Sequence, residues 1–294
     1  MKNLTIGIFG NSEFIKELGK KGTVNDLSIY HHVDSEHIFT FVSCNSDKIQ
    51  SLLQAVQMTE VPLLIINNIN EKLGEQIVAI DQMKFQNGLV ILDNFPKQQF
   101  NKLIKDTSIE NFEIVEKNKA KIFDKLMDFK IKRNDKLLFP IDNYFNVKGI
   151  GTVVLGIVKN GEVNKFDKVS IEPLGKEVTI KGIQIQDKDF KLAKSGSRAG
   201  LNLKGVNADE IKRGFVLSNN AKKVSNLDNS IEKNKLYKNN LKNGEQIIVS
   251  SGLQCISAKL KTKKIELEKE MVLQKRIIIA STRKENLRII GRLK

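Results

Sequence analysis

The chain has 294 residues, 40% of them hydrophobic and 28% charged, with a formal net charge of +15, which suits a globular protein of two or three domains of ~100–150 residues each. No apolar run approaches the ~18 residues of a membrane-spanning helix, and Gly7, Gly10, Asn11 and Ser12 interrupt any secretory leader, so a cytoplasmic protein is expected. Two cysteines far apart, Cys44 and Cys255, offer neither a disulfide framework nor a zinc ligand pair.

The first 128 residues alternate strand-like and helix-like segments. Apolar runs suited to buried strands fall at residues 4–9, 38–42, 61–66, 89–92 and 112–115. Between them, Ile49, Leu52, Leu53 and Val56 repeat at i, i+3, i+4, i+7, and Leu73, Ile77 and Ile80, then Phe100, Leu103 and Ile104, then Ile122, Phe123 and Leu126 repeat likewise. This spacing predicts βαβ units and a mainly parallel sheet. The opening stretch IGIFGNSEFIKELGKKGT has the outline of a phosphate-binding loop. That loop needs G-x-x-x-x-G-K-[ST]. Counting from Gly10 gives Ile15, Lys16 and Glu17 at the last three positions, and counting back from Gly19 puts Phe14 at the first. The stretch therefore reads as a strand turning tightly into a helix over residues 13–18 that ends at Gly19 as its C-cap, with Lys20 and Lys21 beyond its C-terminus. His31, His32 and His37 are the only histidines and read as a polar loop between strands, not as a metal site. Asp93 has no evident catalytic partner.

After Phe129 helical periodicity stops. Short strand-like runs at 149–158, 168–172, 177–186, 198–203 and 215–217 are separated by turns, with Gly161 where a positive φ is needed. They predict a small β-barrel. Ser195 lies in KSGSRAG, a turn and not the G-x-S-x-G of a nucleophile elbow. Residues 219–243, rich in Asn, Lys and Ser, read as a linker or mobile loop. Strand-like runs return at 246–249, 254–260, 264–267, 274–280 and 287–290. Charge follows the same divisions. Residues 1–128 carry a net −3, residues 129–219 a net +7 and residues 220–294 a net +11, so the positive field belongs to the β-rich part and favours a nucleic-acid partner. Lys259, Lys261, Lys263 and Lys264 are candidate phosphate contacts there, or one solvated face.

Within the barrel segment, FPIDNYFNVKGIGTVVLGIVKNGEV, DKVSIEPLGKEVTIKGIQIQDKD, AKSGSRAGLNLKG and IKRGFVLS together resemble the second domain of elongation factor Tu-type translation factors. LQKRIIIASTRKENLRIIGRLK resembles the last strands of the third domain, most like the selenocysteine-specific branch. LGKKGT, DLSIY and DKIQSLLQAVQ are similar to the GTP-binding domain of archaeal Tu-related factors. The resemblance implies a P-loop-GTPase-like α/β domain (1–128) followed by two small β-barrels (129–219 and 220–294). It also implies tRNA or ribosome partners, translation-factor protein partners, and an aminoacyl or RNA-end pocket at Asp142, Asn143, Phe145, Leu155, Gln186, Asp187 and Arg198. If the barrel is kept only as a scaffold, Phe145 belongs to its core.

Against the family's pattern, Ser43, Cys44, Asn45 and Ser46 stand where Asp-x-x-Gly would follow the second strand. Leu92, Asp93, Asn94 and Phe95 stand where the guanine-reading Asn-Lys-x-Asp would be. No switch segment supplies a Mg²⁺-binding Thr. The expectation is a GTPase-like domain without GTP hydrolysis, cofactor or metal, and therefore not an enzyme. Two alternatives stand beside RNA binding: a GTP-binding factor with a non-standard site, and a protein-interaction scaffold.

Overall fold

The computed structural model describes residues 2–283 and 285–294; Met1 and Lys284, the latter inside the C-terminal segment quoted above, lie outside the described residues. The N-terminal body runs β1 (Lys2–Gly10), α1 (Ile15–Leu18), β2 (Lys20–Val24), β3 (Leu27–Val33), β4 (His37–Cys44), α2 (Ile49–Met58), β5 (Val61–Ile66), α3 (Glu71–Met83), β6 (Leu89–Leu92), α4 (Lys97–Leu103), β7 (Glu113–Ile114) and α5 (Lys119–Met127). Its sheet has the order β2-β3-β4-β1-β5-β6-β7, parallel from β4 through β7 and antiparallel at β2 and β3. Strand alternation feeds two cores. Leu64 and Ile66 pack with α2 and α3 on one face, while Ile6, Ile8, Leu63 and Ile65 pack with α1 and α5 on the other. No described helix is long and apolar enough to cross a membrane.

The middle body contains β8 (Phe139–Val147), β9 (Gly151–Ile157), β10 (Glu162–Asn164), β11 (Lys168–Glu172), β12 (Lys176–Ile185), β13 (Lys188–Phe190), β14 (Leu192–Lys194), β15 (Arg198–Lys204) and β16 (Val216–Ser218). Six strands in the order β11-β16-β8-β9-β15-β12 close through the β11–β12 pairing into a barrel. β13 extends β12, and β10 pairs with β14 as a separate ribbon. Gly156 is needed where β9 crosses β8, since a Cβ there would meet Pro140 O at 2.3 Å. The third body holds β17 (Lys223–Asp228), β18 (Ile231–Lys233), β19 (Gln246–Ser251), β20 (Gln254–Leu260), β21 (Lys264–Val272), β22 (Ile277–Ser281) and β23 (Ile289–Leu293), in one curled sheet of order β17-β21-β20-β19-β22-β23-β18.

Three local expectations are corrected. The helix after β1 is a 3₁₀ turn at Ser12–Phe14 and a single α-turn; Gly19 is its C-cap, in an extended conformation with φ −156°. Lys20 and Lys21 continue straight into β2, which forms a hairpin with β3 across Asn25 and Asp26. His31 and His32 accordingly lie in β3 and His37 begins β4, so none sits in a loop. The expected linker at 219–243 carries the two edge strands β17 and β18 and the buried ring of Tyr237. Edge strands with one exposed face show little hydrophobic alternation, which is why they read as loop.

Candidate functional site

Two places deserve comparison: the C-terminal ends of the parallel strands, where α/β sheets bind ligands, and the flank of the barrel. At the first, β1 ends on Gly10 with φ +78°, and a Cβ there would meet Ile65 O at 1.9 Å. Gly10 N–H donates to Gln76 Oε1 on α3 (2.7 Å) and Asn11 N–H donates to Ile65 O (2.9 Å). Phe14 and Ile15 then turn inward and are buried. Beyond β6, Lys117 Nζ lies 2.8 Å from Asp93 Oδ2 and 5.4 Å from the centre of the Phe14 ring. These two N–H groups and this lysine face the chain's own groups.

At the second, a cleft of about 700 Å³ opens between the β2–β3 hairpin and the barrel. The structure brings five of the expected pocket residues to its wall: Phe145, Leu155, Gln186, Asp187 and Arg198. Phe145 is 40% exposed, which corrects the reading of its ring as core. Gln186 (φ 51°) and Asp187 (φ 59°) form the left-handed turn joining β12 to β13, the conformation a two-residue hairpin turn requires. Asp142 lies beneath the wall, 3% exposed, its Oδ1 accepting from Arg198 Nη2 at 2.8 Å. Burial pushes its carboxyl above the usual range, and Arg198 and then Arg213 oppose that rise. Asp142 Oδ2 and Arg198 Nε have no hydrogen-bond partner. Asn143, whose Oδ1 accepts from Tyr144 N–H, is not among the lining residues.

The opposite wall was missed by sequence reasoning. Lys21, Gly22, Thr23 and His31 come from β2 and β3. Burial first, and the Arg198 charge second, push the His31 imidazole down to about 4, so it stays neutral beside the guanidinium. His31 Nδ1 lies 3.3 Å from Thr40 Oγ1. The available signal was the Asn25-Asp26 pair flanked by Thr23, Val24 and Ile29, a hairpin pattern.

His31, His32 and His37 do not converge. His32 packs on Phe123 at 4.3 Å between ring centres, and His37 Nδ1 lies 3.4 Å from Asp34 Oδ1. Among the described residues no cluster of three His, Cys, Asp or Glu could hold a metal. On the third body, Lys259 belongs to β20, Lys264 to β21, and Lys261 and Lys263 to the turn between them. Lys264 pairs with Glu266 at 2.8 Å; that bond and the nearby lysine charges hold the Glu266 carboxyl below its ordinary range.

The profile of elongation factor Tu domain 2 matches residues 151–218. An uncharacterized protein of Methanocaldococcus jannaschii is 36% identical over 283 residues, covering 92% of both chains. The selenocysteine-specific elongation factor of the same organism is 27% identical, covering 90% of this chain and 67% of its own. In structure, the chain is similar to translation elongation factor SelB of Methanococcus maripaludis, solved with a GTP analogue. The TM-score is 0.84 at 20% identity, covering 99% of this chain and 78% of that one. A bacterial selenocysteine-specific elongation factor gives a TM-score of 0.82 at 19% identity, covering 99% and 57%.

Proposed function

The chain belongs to the family of translation elongation factors that includes elongation factor Tu and the selenocysteine-specific factors, and from that premise we propose that it is a cytoplasmic RNA-binding relative which works without a GTP cycle. The cleft takes the end of a tRNA or of a ribosomal RNA segment, and the basic faces of the two β bodies hold the phosphates. The carrying observation is the wall of the cleft, where the exposed Phe145 ring and the Arg198 guanidinium, held by Asp142, line one side and Lys21 the other. A fixed cation and an aromatic face are what an RNA end offers itself to.

Loss of the nucleotide is supported by the end of β1. The N–H groups of Gly10 and Asn11, which a phosphate cradle would aim at its ligand, are bonded to Gln76 and Ile65. Without a cradle, a Mg²⁺ ligand and a placed water, phosphoryl transfer has nothing to position it. On this reading the protein works without hydrolysing GTP.

Binding of tRNA in rising salt tests the first part. The expected plot of log K against log[salt] is linear, with a slope of about −0.7 to −0.9 per phosphate contacted; no binding at low salt overturns it. Calorimetric titration with GTP and Mg²⁺ tests the second, and a saturable heat would establish a non-standard nucleotide site instead. A protein partner captured equally well after nuclease treatment, with no affinity for tRNA, would make the chain a scaffold.

A further inference from the structure

We propose that the barrel carries a second RNA contact outside the cleft: an exposed aromatic pair, Phe166 and Phe190, set among lysines, on which unpaired bases stack. The proposal rests on the RNA-binding reading above and adds a surface to it.

The pair is built by the β10–β14 ribbon. Its register matches Glu162 with Lys194, Val163 with Ala193 and Asn164 with Leu192. The next step is kept by Lys165 N–H donating to Lys191 O at 2.8 Å. One step further the two chains part onto β12: Phe190 pairs with Ile183 and Phe166 turns to Ile180, three residues along the same strand. Phe166 is 66% exposed and Phe190 43%, so neither ring gains much from the core. Phe166 also holds φ at +75°, a conformation that bulky residues rarely adopt and that costs stability wherever it occurs. Its N–H is fixed to Ile180 O at 2.7 Å. The fold thus strains a backbone position and leaves the resulting ring in water, an arrangement without internal benefit.

The surroundings choose the partner. Lys165 Nζ sits 5.2 Å from the centre of the Phe166 ring. Lys181 follows Ile180 next to it, and Lys188 and Lys191 flank Phe190. Among the described residues none of these four lysines has an ion-pair partner, whereas nearby Lys168 and Lys176 are paired to Glu177 and Glu210. Two of the local acids are engaged: Asp167 accepts from Asn164 N–H and Asp189 from Gln184 Nε2. Two aromatic faces ringed by free ammonium groups match single-stranded nucleic acid, whose bases stack and whose phosphates are anionic. Asp187 in the cleft wall lies in the turn just before β13, three residues from Phe190 at its end, at most about 10 Å at ~3.3 Å per residue, so one RNA strand leaving the cleft can reach both.

The chain has no tryptophan, so Phe166→Trp installs a single indole reporter in the platform. Titration with a short oligouridylate is expected to quench its emission saturably. Phe166→Ala with Phe190→Ala is expected to weaken binding of the oligouridylate and of tRNA by about 5- to 150-fold for each ring that stacks a base, with the salt slope unchanged because no phosphate contact is lost. Phe166→Gly should lose the same affinity while the melting temperature stays level or rises, since glycine adopts φ +75° without strain; this separates a binding role from a folding one. If the unaltered protein binds tRNA and the alanine variant binds as tightly, the platform is wrong and the RNA-binding reading stands. If the unaltered protein binds no RNA, both fall. If the substitutions change only self-association in sedimentation, the surface serves protein contact and the platform is overturned.

Discussion

Asp142 and Arg198 sit at the base of the cleft with side chains 3% and 9% exposed. Removing one member of such a pair strands the other, whereas replacing both with apolar groups is often neutral. Arg198→Leu should therefore cost about 3–5 kcal/mol in urea unfolding, and the double variant with Asp142→Leu should recover most of it. Equal losses in the two would show that the pair is not what holds β8 to β15. His31 gives the cleft a pH signature. Its folded pKa of about 4 lies below the ordinary 6.5, so as pH falls between those values the unfolded chain takes up the proton first. Stability contributed by the neutral ring is complete above about 6.5 and falls as pH drops toward 4. We expect the unfolding free energy to fall by about 2 kcal/mol more in the unaltered protein than in His31→Gln between pH 7 and pH 4.5. Parallel curves would exclude the ring as the source. At this scale the sequence was half informative. The barrel motifs located Phe145, Leu155, Gln186, Asp187 and Arg198, but His31 reaches them only because a hairpin folds back beside another body, a relation no local pattern encodes.

Helix α2 shows the same limit among elements. Its apolar spacing was plain, yet Ser51, Gln54 and Gln57 on its polar side are also buried. The two glutamines face the third body. Gln54 Nε2 donates to Leu253 O (2.9 Å) and Gln57 Nε2 to Arg276 O (2.8 Å). The barrel holds the same helix through Arg213 Nη1 to Gln54 Oε1 (3.4 Å) and through Lys159 Nζ to Met58 O, a cation at the helix C-terminus where the dipole favours it. Burial pushes the Lys159 amine down to about 8, partly opposed by Glu60. Amphipathic patterning reports which side of a helix meets its own sheet, and stays silent when the other side meets polar backbone of a different body. Gln54→Ala and Gln57→Ala should each cost about 1–3 kcal/mol, by leaving a carbonyl without its donor. Hydrogen exchange should speed up first in α2 and the start of β20. Exchange confined to β10 and β14 would place the weak point elsewhere.

Across the whole molecule one apolar cluster joins the three bodies. Ile157 of the barrel and Ile248, Leu253, Ile278 and Ile289 of the third body belong to the same cluster as α2 and α3. Arg133, in the segment leading into the barrel, makes bidentate bonds to Glu60 (2.8 and 2.9 Å) and one to Asn3 O (2.8 Å). A shared core and a buried ionic tie predict a single calorimetric transition, with the calorimetric and van't Hoff enthalpies equal. Arg133→Ala should lower its midpoint without splitting it. Two separated transitions in the unaltered protein would mean that the bodies melt independently. The three-body plan was legible because helical periodicity gives way to strand alternation after Phe129, whereas the seams between bodies were not, being made by residues distant in the chain.

The fastening of α2 to both β bodies also bears on time. A factor that alternates between two domain arrangements can release its cargo on a schedule set by fuel consumption. If the chain works without a GTP cycle, as proposed, a helix bonded at once to Leu253, Arg276 and Arg213 keeps the bodies in the one arrangement described here. Residence on a partner is then fixed by one dissociation rate, and occupancy by the concentrations of the two molecules. Such a protein keeps no clock of its own: abundance does the work of a timer.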